Sequence, residues 1–290
     1  MKFRPLRVVL AATAAVGVGA SGLAACFDWS TPAVSVDGGT PDTSTVDTGV
    51  LPDAGLQDAS ADALPSCGPP IAPPGLPLLH LTLDDLASLA PPDAAFGPGY
   101  STTATETNFV PGVCRNALGF EAGVHLTYPE VPKPEGGEAG APNINYAEGT
   151  IMLWYRPDYP SEDINDHPLL RSTTVMNRGG VRLSRARFGG VQFNTWDSAG
   201  TPDGQLESAT KLVQGRWVHI AVSWKTGEAP RLFLNGAPDT IVNPRVINGS
   251  PAKASAAQDI GIGNNAGAGA EVPADGLIDD LWIYPVALPP

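Results

Sequence analysis

The feature that most limits the fold of this chain is a run of period-two alternation through its last third. Along Trp217-Val218-His219-Ile220-Ala221-Val222-Ser223-Trp224, the side chains of Val218, Ile220, Val222 and Trp224 point one way. Trp217, His219, Ala221 and Ser223 point the other, as an extended chain requires. Arg231-Leu232-Phe233-Leu234 follows and ends at Asn235-Gly236, a pair that accepts the positive φ of a tight hairpin. Gly276 to Tyr284 is a further strand, and upstream Leu78 to Leu83, Ala117 to Phe120, Val124 to Tyr128, Thr150 to Pro157, Gly180 to Ser184 and Gly190 to Asn194 read likewise. No stretch keeps a helical period over three turns. The 33 glycines and 30 prolines among 290 residues favour turns between short strands. The expected class is all-β, a two-sheet antiparallel β-sandwich or jelly roll.

The N-terminus carries an address. Lys2, Arg4 and Arg7 make a short basic region, Val8 to Gly22 is apolar, and Leu23-Ala24-Ala25-Cys26 ends the run. This resembles the lipobox of bacterial lipoproteins, in which the cysteine thiol takes a diacylglycerol and the new amino group is acylated too. Residues 1–25 are then a lipoprotein signal peptide and Cys26 is the lipidated first mature residue. Several acyl chains anchor stably where one is reversible. The alternative is an ordinary cleaved signal with a chance cysteine. A membrane-spanning helix is disfavoured, because the run is shorter than about 18 residues and rich in glycine. The address implies a bacterial cell envelope, in the outer or cytoplasmic membrane, facing periplasm or surface.

Two cysteines remain, Cys67 and Cys114. An oxidising envelope favours pairing them, which on the chain-entropy model contributes ~4 kcal/mol; two buried thiols are the alternative. Residues 26–66, from the lipidated Cys26, form an acidic linker: from Phe27 to Ser66 there is no Lys or Arg, and Asp28, Asp37, Asp42, Asp47, Asp53, Asp58 and Asp62 stand among Ser, Thr, Gly, Pro and Ala. Such a segment cannot bury enough apolar surface to offset its ordering entropy, so it is expected to be a disordered stalk. Residues 67–290 are left for the folded domain. The net charge is −13, and removal of the basic leader makes the mature chain more acidic still. That excludes nucleic acid and electrostatic adhesion to anionic lipid, and fits neutral or cationic partners, or calcium.

The order of pieces in the domain resembles the concanavalin A-like, laminin-G-like (LamG) jelly roll. The resemblance is carried by Leu81-Thr82-Leu83-Asp84-Asp85, by Val110 to Phe120 with its Asn116-Ala117-Leu118, and by Gly149 to Asp158 with Trp154 before Arg156-Pro157. Gly215 to Gly236 and Gly276 to Leu288 complete it, so that it spans roughly Leu76 to Leu288. It implies a domain in which first and last strands lie side by side. It also implies a structural calcium held by acids and carbonyls from those ends, an ion that takes oxygen ligands. Asp84, Asp85, Asp279 and Asp280 are the candidate ligands. On the alternation, Asp279 shares a face with Leu281 and Ile283, and Asp85 continues the face of Leu79, Leu81 and Leu83, so each needs a partner. Backbone amides or an arginine are the alternative partners.

No catalytic set is legible. Glycoside hydrolases of related fold use Glu-x-Asp-x-x-Glu, two carboxylates across the scissile bond, and this chain lacks that motif. Glu162-Asp163-Ile164-Asn165-Asp166 follows Pro160 and reads as a loop. His80, His125, His167 and His219 have no metal-ligand spacing, and no Gly-x-Ser-x-Gly elbow is present. A glycan site needs aromatic platforms beside amides and carboxylates, which nominates Trp196 with Asn194 and Asp197, Tyr159, and Arg178 as a companion. Trp154, Trp217, Trp224 and Trp282 are read as core. The expected function is a membrane-anchored, non-catalytic module, monomeric as a domain, that binds polysaccharide or a surface protein. A glycan-active hydrolase and a purely structural envelope protein are the alternatives.

Overall fold

The chain divides into two units, Met1–Gln57 and Asp58–Pro290, and every described residue lies in the second. The computed structural model describes residues 76–90, 100–130, 142–172, 180–197, 201–248, 259–263 and 273–287. The signal peptide, Cys26, the linker, Cys67 and Arg178 lie outside these residues, and with Cys67 so does one half of the expected disulfide. Among the described residues no helix is long and apolar enough to cross a membrane.

Among the described residues, sixteen strands make two antiparallel sheets. In chain order they are β1 (Leu79–Leu81), β2 (Ser101–Thr102), β3 (Phe109–Pro111), β4 (Asn116–Phe120), β5 (Leu126–Pro129), β6 (Glu148–Pro157), β7 (His167–Arg171) and β8 (Gly180–Arg185). There follow β9 (Gly190–Trp196), β10 (Pro202–Lys211), β11 (Val218–Lys225), β12 (Arg231–Leu234), β13 (Ala237–Pro238), β14 (Ile241–Arg245), β15 (Asp259–Ile262) and β16 (Gly276–Tyr284). The first sheet runs β13-β12-β11-β6-β16-β4-β3, with β1 also on β16. The second runs β14-β10-β9-β8-β7-β15-β5-β2. First and last strands do lie side by side, with Leu79 opposite Ile283 and Leu81 opposite Leu281.

Alternation builds the core between the sheets. Ile151, Leu153, Ile220, Val222, Ile278, Leu281 and Ile283 from one sheet meet Leu126, Val181, Leu183, Val191, Phe193, Leu206 and Ile260 from the other, all fully buried. Trp224 joins them and packs on Phe193, ring centroids 5.5 Å apart. Opposite Trp224 stands Gly149, where an added Cβ would fall 2.4 Å from the indole. Asn235 and Gly236 take φ of 51° and 80° and turn β12 into β13, as the dipeptide predicts.

Three of the tryptophans read as core face outward instead. Trp154 and Trp282 occupy the outer side of the first sheet, and both are only partly buried, as is Trp217. The registers align Phe233, Ala221, Met152, Trp282 and His80 across five neighbouring strands on that side. His80 stacks on Trp282 at 3.3 Å, and Trp154 meets His219 edge-on at 5.2 Å.

Candidate functional site

The outer face of the second sheet is polar. Val181, Leu183, Val191, Phe193 and Leu206 point inward, so their alternates on β8, β9 and β10 point outward. Those are Arg182 and Ser184, Gln192, Asn194 and Trp196, and Gln205 and Glu207. Register sets Gln205 against Asn194 and Asn194 against Arg182, with Arg171 of β7 beyond it. A second row sets Glu207 against Gln192 and Gln192 against Ser184.

Two groups of this face are buried without a partner, Arg182 Nε and Ser184 Oγ. A buried polar group left unmatched costs ~1–3 kcal/mol, so most are paired and an exception asks for a reason. Ser184 is 0% exposed, and Asn194, across from Arg182, is 8% exposed. Arg182 is not without charge balance: its Nη2 lies 3.5 Å from Asp166. Asp166 also accepts the backbone N–H of Arg187 at 2.9 Å.

Beside these groups sits a carboxylate that is already engaged. Glu207 accepts from the side-chain amides of Gln192 at 3.1 Å, Gln205 at 2.8 Å and Asn243 at 3.1 Å. With their NH2 groups turned onto Glu207, Gln192 and Gln205 have their amide oxygens left for acceptor roles. The face thus carries donors at Arg182 and Ser184, buried beneath its longer side chains, next to acceptors at Gln192 and Gln205.

Of the residues nominated for a ligand, Asn194 and Trp196 do share this face. Trp196 is 7% exposed, a wall rather than an open platform. Asp197 closes the β9–β10 connection, accepting the N–H of Thr201 at 2.8 Å. Tyr159 is no loop platform: it is buried, stacked on His167 at 3.7 Å, and its hydroxyl meets that of Tyr155 at 2.7 Å. Arg185, singled out by nothing in the sequence, explains this. It is fully buried, lies over the Tyr159 ring, and donates to the carbonyls of Pro160, Ser161, Asp163 and Asn165. The acidic loop is therefore fastened from within, which positions Asp166.

The four aspartates do not share one purpose. Asp279 is 0% exposed, yet it does not lie on the face of Leu281 and Ile283. A bulge between Asp279 and Trp282, with Asp280 at φ 47°, shifts the alternation, so Asp279 pairs with outward Trp154. Its Oδ2 accepts the N–H groups of Val113 at 2.8 Å and Cys114 at 3.0 Å. Oδ1 has no partner, and burial, with Asp280 and Asp84 adding repulsion, pushes the carboxyl up to about 7. Asp84 accepts the Asn116 N–H at 3.1 Å. Asp280 meets His80 Nε2 at 2.9 Å. Asp85 is exposed, because Leu83 at φ 58° turns the chain out of the strand, and it accepts the N–H of Ser88. Among the described residues no group of three His, Cys, Asp or Glu is arranged to hold a metal.

Two packed antiparallel sheets of this order define a jelly-roll sandwich of the lectin type. The chain belongs to the concanavalin A-like lectin/glucanases superfamily, whose laminin-G-type profile matches residues 136–290. No curated protein matches the chain. Among solved structures it is similar to the receptor binding domain of botulinum neurotoxin C/D mosaic serotype, at 13% identity and TM-score 0.52, over 73% of this chain and 48% of that one. The botulinum neurotoxin serotype D binding domain is similar at 13% identity and TM-score 0.51, over 74% and 49%. A Ruminococcus gnavus sialidase module, CBM40, is a looser likeness at 19% identity and TM-score 0.40, over 50% and 79%. The chain spans about half the length of the two neurotoxin domains.

Proposed function

We propose that this chain is an exported lipoprotein, anchored through acylated Cys26 in a bacterial envelope, whose LamG-like domain binds carbohydrate without catalysis. The observation that carries the binding reading is the pair of buried, unpartnered groups, Arg182 Nε and Ser184 Oγ, on an outward polar face. Sugar hydroxyls are both donors and acceptors, and the face supplies both. The two neurotoxin domains are called binding domains in their own descriptions, which agrees with a binding role.

The superfamily name also covers glucanases. Hydrolysis needs two carboxyls ~5–9.5 Å apart across the bond. Asp203 and Glu207 stand four residues apart on β10, ~14 Å at the rise of an extended strand. Both oxygens of Glu207 are held by amides, and Asp203 accepts the N–H of Asn248. That pair is not set to act across a glycosidic bond, which favours non-catalytic binding.

The test is binding of the full chain to a broad polysaccharide array, alone and as Asn194→Ala. Selective binding weakened at least tenfold by the substitution is expected. No binding across the array sinks the carbohydrate reading in favour of a protein partner. Anchoring has its own check: labelled fatty acid enters the chain and is lost on Cys26→Ser.

We propose a structural calcium at Asp279. The Oδ1 atom fits it, as an oxygen ligand buried with no protein donor. Asp84 and Asp280 are the neighbouring carboxylates, while Asp85 is committed to its own turn.

A further inference from the structure

We infer that the ligand of the second sheet's outer face is an acidic sugar, one carrying a carboxylate; this rests on the carbohydrate reading above. The polar groups of the face are segregated by hydrogen-bonding sense. Arg182 Nε and Ser184 Oγ are buried with no acceptor, and both stand on β8 two residues apart, on one side of the sheet. Asn194 adds an amide directly opposite Arg182. A ligand oxygen with several lone pairs satisfies such a set best, and the planar fork of arginine matches a carboxylate more closely than a hydroxyl. Across the next strand gap the sense reverses. Glu207 draws the NH2 groups of Gln192 and Gln205 onto itself, so the acceptors that remain suit ring hydroxyls. A charged pole followed by hydroxyls along one direction is the outline of a uronic-acid unit.

The same geometry supplies an internal competitor. Asp166 Oδ2 lies 3.5 Å from Arg182 Nη2, beyond an ordinary hydrogen bond, while its Oδ1 is occupied by the Arg187 N–H. The loop carrying Asp166 is fastened by Arg185, so this carboxylate is held beside Arg182. It neutralises the guanidinium when no ligand is bound and repels an incoming anion. A purely structural Arg182–Asp166 pair and a ligand-binding Arg182 therefore respond oppositely to loss of Asp166.

The experiment measures affinity of the full chain for polygalacturonate, alginate and hyaluronate. Fully methyl-esterified polygalacturonate serves as the neutral control on an unchanged backbone. The expected result is a preference of tenfold or more for an acidic polymer over neutral ones. Arg182→Gln removes that preference, and Asp166→Asn, which keeps an oxygen for the Arg187 N–H, raises acidic-polymer affinity about threefold or more. Thermal melts of both variants show whether each is folded; should Arg182→Gln not fold, the Asp166→Asn arm decides. Equal affinity for acid and ester, or binding confined to neutral polymers, overturns the acidic-sugar inference and leaves the carbohydrate reading standing. Weaker acidic binding in folded Asp166→Asn also overturns it. Absence of binding to every polymer here and across the array overturns both.

Discussion

At the residue scale, three buried polar side chains hold most of the argument. Ser184 has its hydroxyl buried and unmatched. Ser184→Ala removes that cost, so the chain without ligand should melt higher, by an amount corresponding to ~1 kcal/mol, while glycan affinity falls. A melting temperature that drops would show the hydroxyl to be satisfied within the protein. Arg185 is the opposite case, fully used by four carbonyls. Arg185→Met unfastens that loop and leaves the four part-buried carbonyls without their donor, which should cost about 1–3 kcal/mol by urea unfolding. Asp279 has a folded-state pKa near 7, above its value in an unfolded chain. Between roughly pH 4 and 7 the folded state thus holds the extra proton, and this group's contribution to stability declines as pH rises through that window. Asp279→Asn should flatten that decline. Calcium should raise the melting temperature of the parent above pH 7 and leave the variant unmoved. An equal calcium response in both removes Asp279 from any metal site.

At the scale of elements, β8, β9 and β11 are readable because their alternation is regular and their inward residues are apolar, and β16 is readable as a strand although its alternation breaks at a bulge. Asn194 and Trp196 are nominated as an aromatic beside an amide in a loop; the structure extends the strand to Trp196, and period two then puts both on one face. Arg182, Ser184, Gln192 and Gln205 carry the same signal, but what makes them a site is that β8, β9 and β10 are neighbours, and pairing order is not written in any one strand. Asp279 was set on the wrong face because a bulge adds one residue, and period-two reading has no term for it. Trp154 and Trp282 read as core because tryptophan is apolar; the pairing of β11 with β6 and of β1 with β16 instead sets them on the outer side, beside His219 and His80. Tyr159 sits in a loop by sequence and in the interior by virtue of Arg185, a contact 26 residues away along the chain. Packing between elements is equally specific. Gly149→Ala drives a methyl into the Trp224 ring and should destabilise by ~1–3 kcal/mol, read as a lower urea midpoint with unchanged slope. A neutral result would mean the β6–β11 pair can part without loss.

At the scale of the whole molecule, the two outer faces divide the possibilities. One carries aromatic pairs, His80 stacked on Trp282 and His219 edge-on to Trp154. The other is polar, with donors unmatched at Arg182 and Ser184. A net charge of −13 bears on both, since it disfavours nucleic acid at either. The acidic-sugar inference asks a local arginine to act against that background, so its affinity must come from contact rather than long-range attraction. A crystal structure of the chain with the oligosaccharide selected on the array decides between the two faces. Sugar oxygens are expected within hydrogen-bond distance of Arg182 Nε, Ser184 Oγ and Asn194. A sugar seated instead on Trp154 and Trp282 of the first sheet would contradict this expectation.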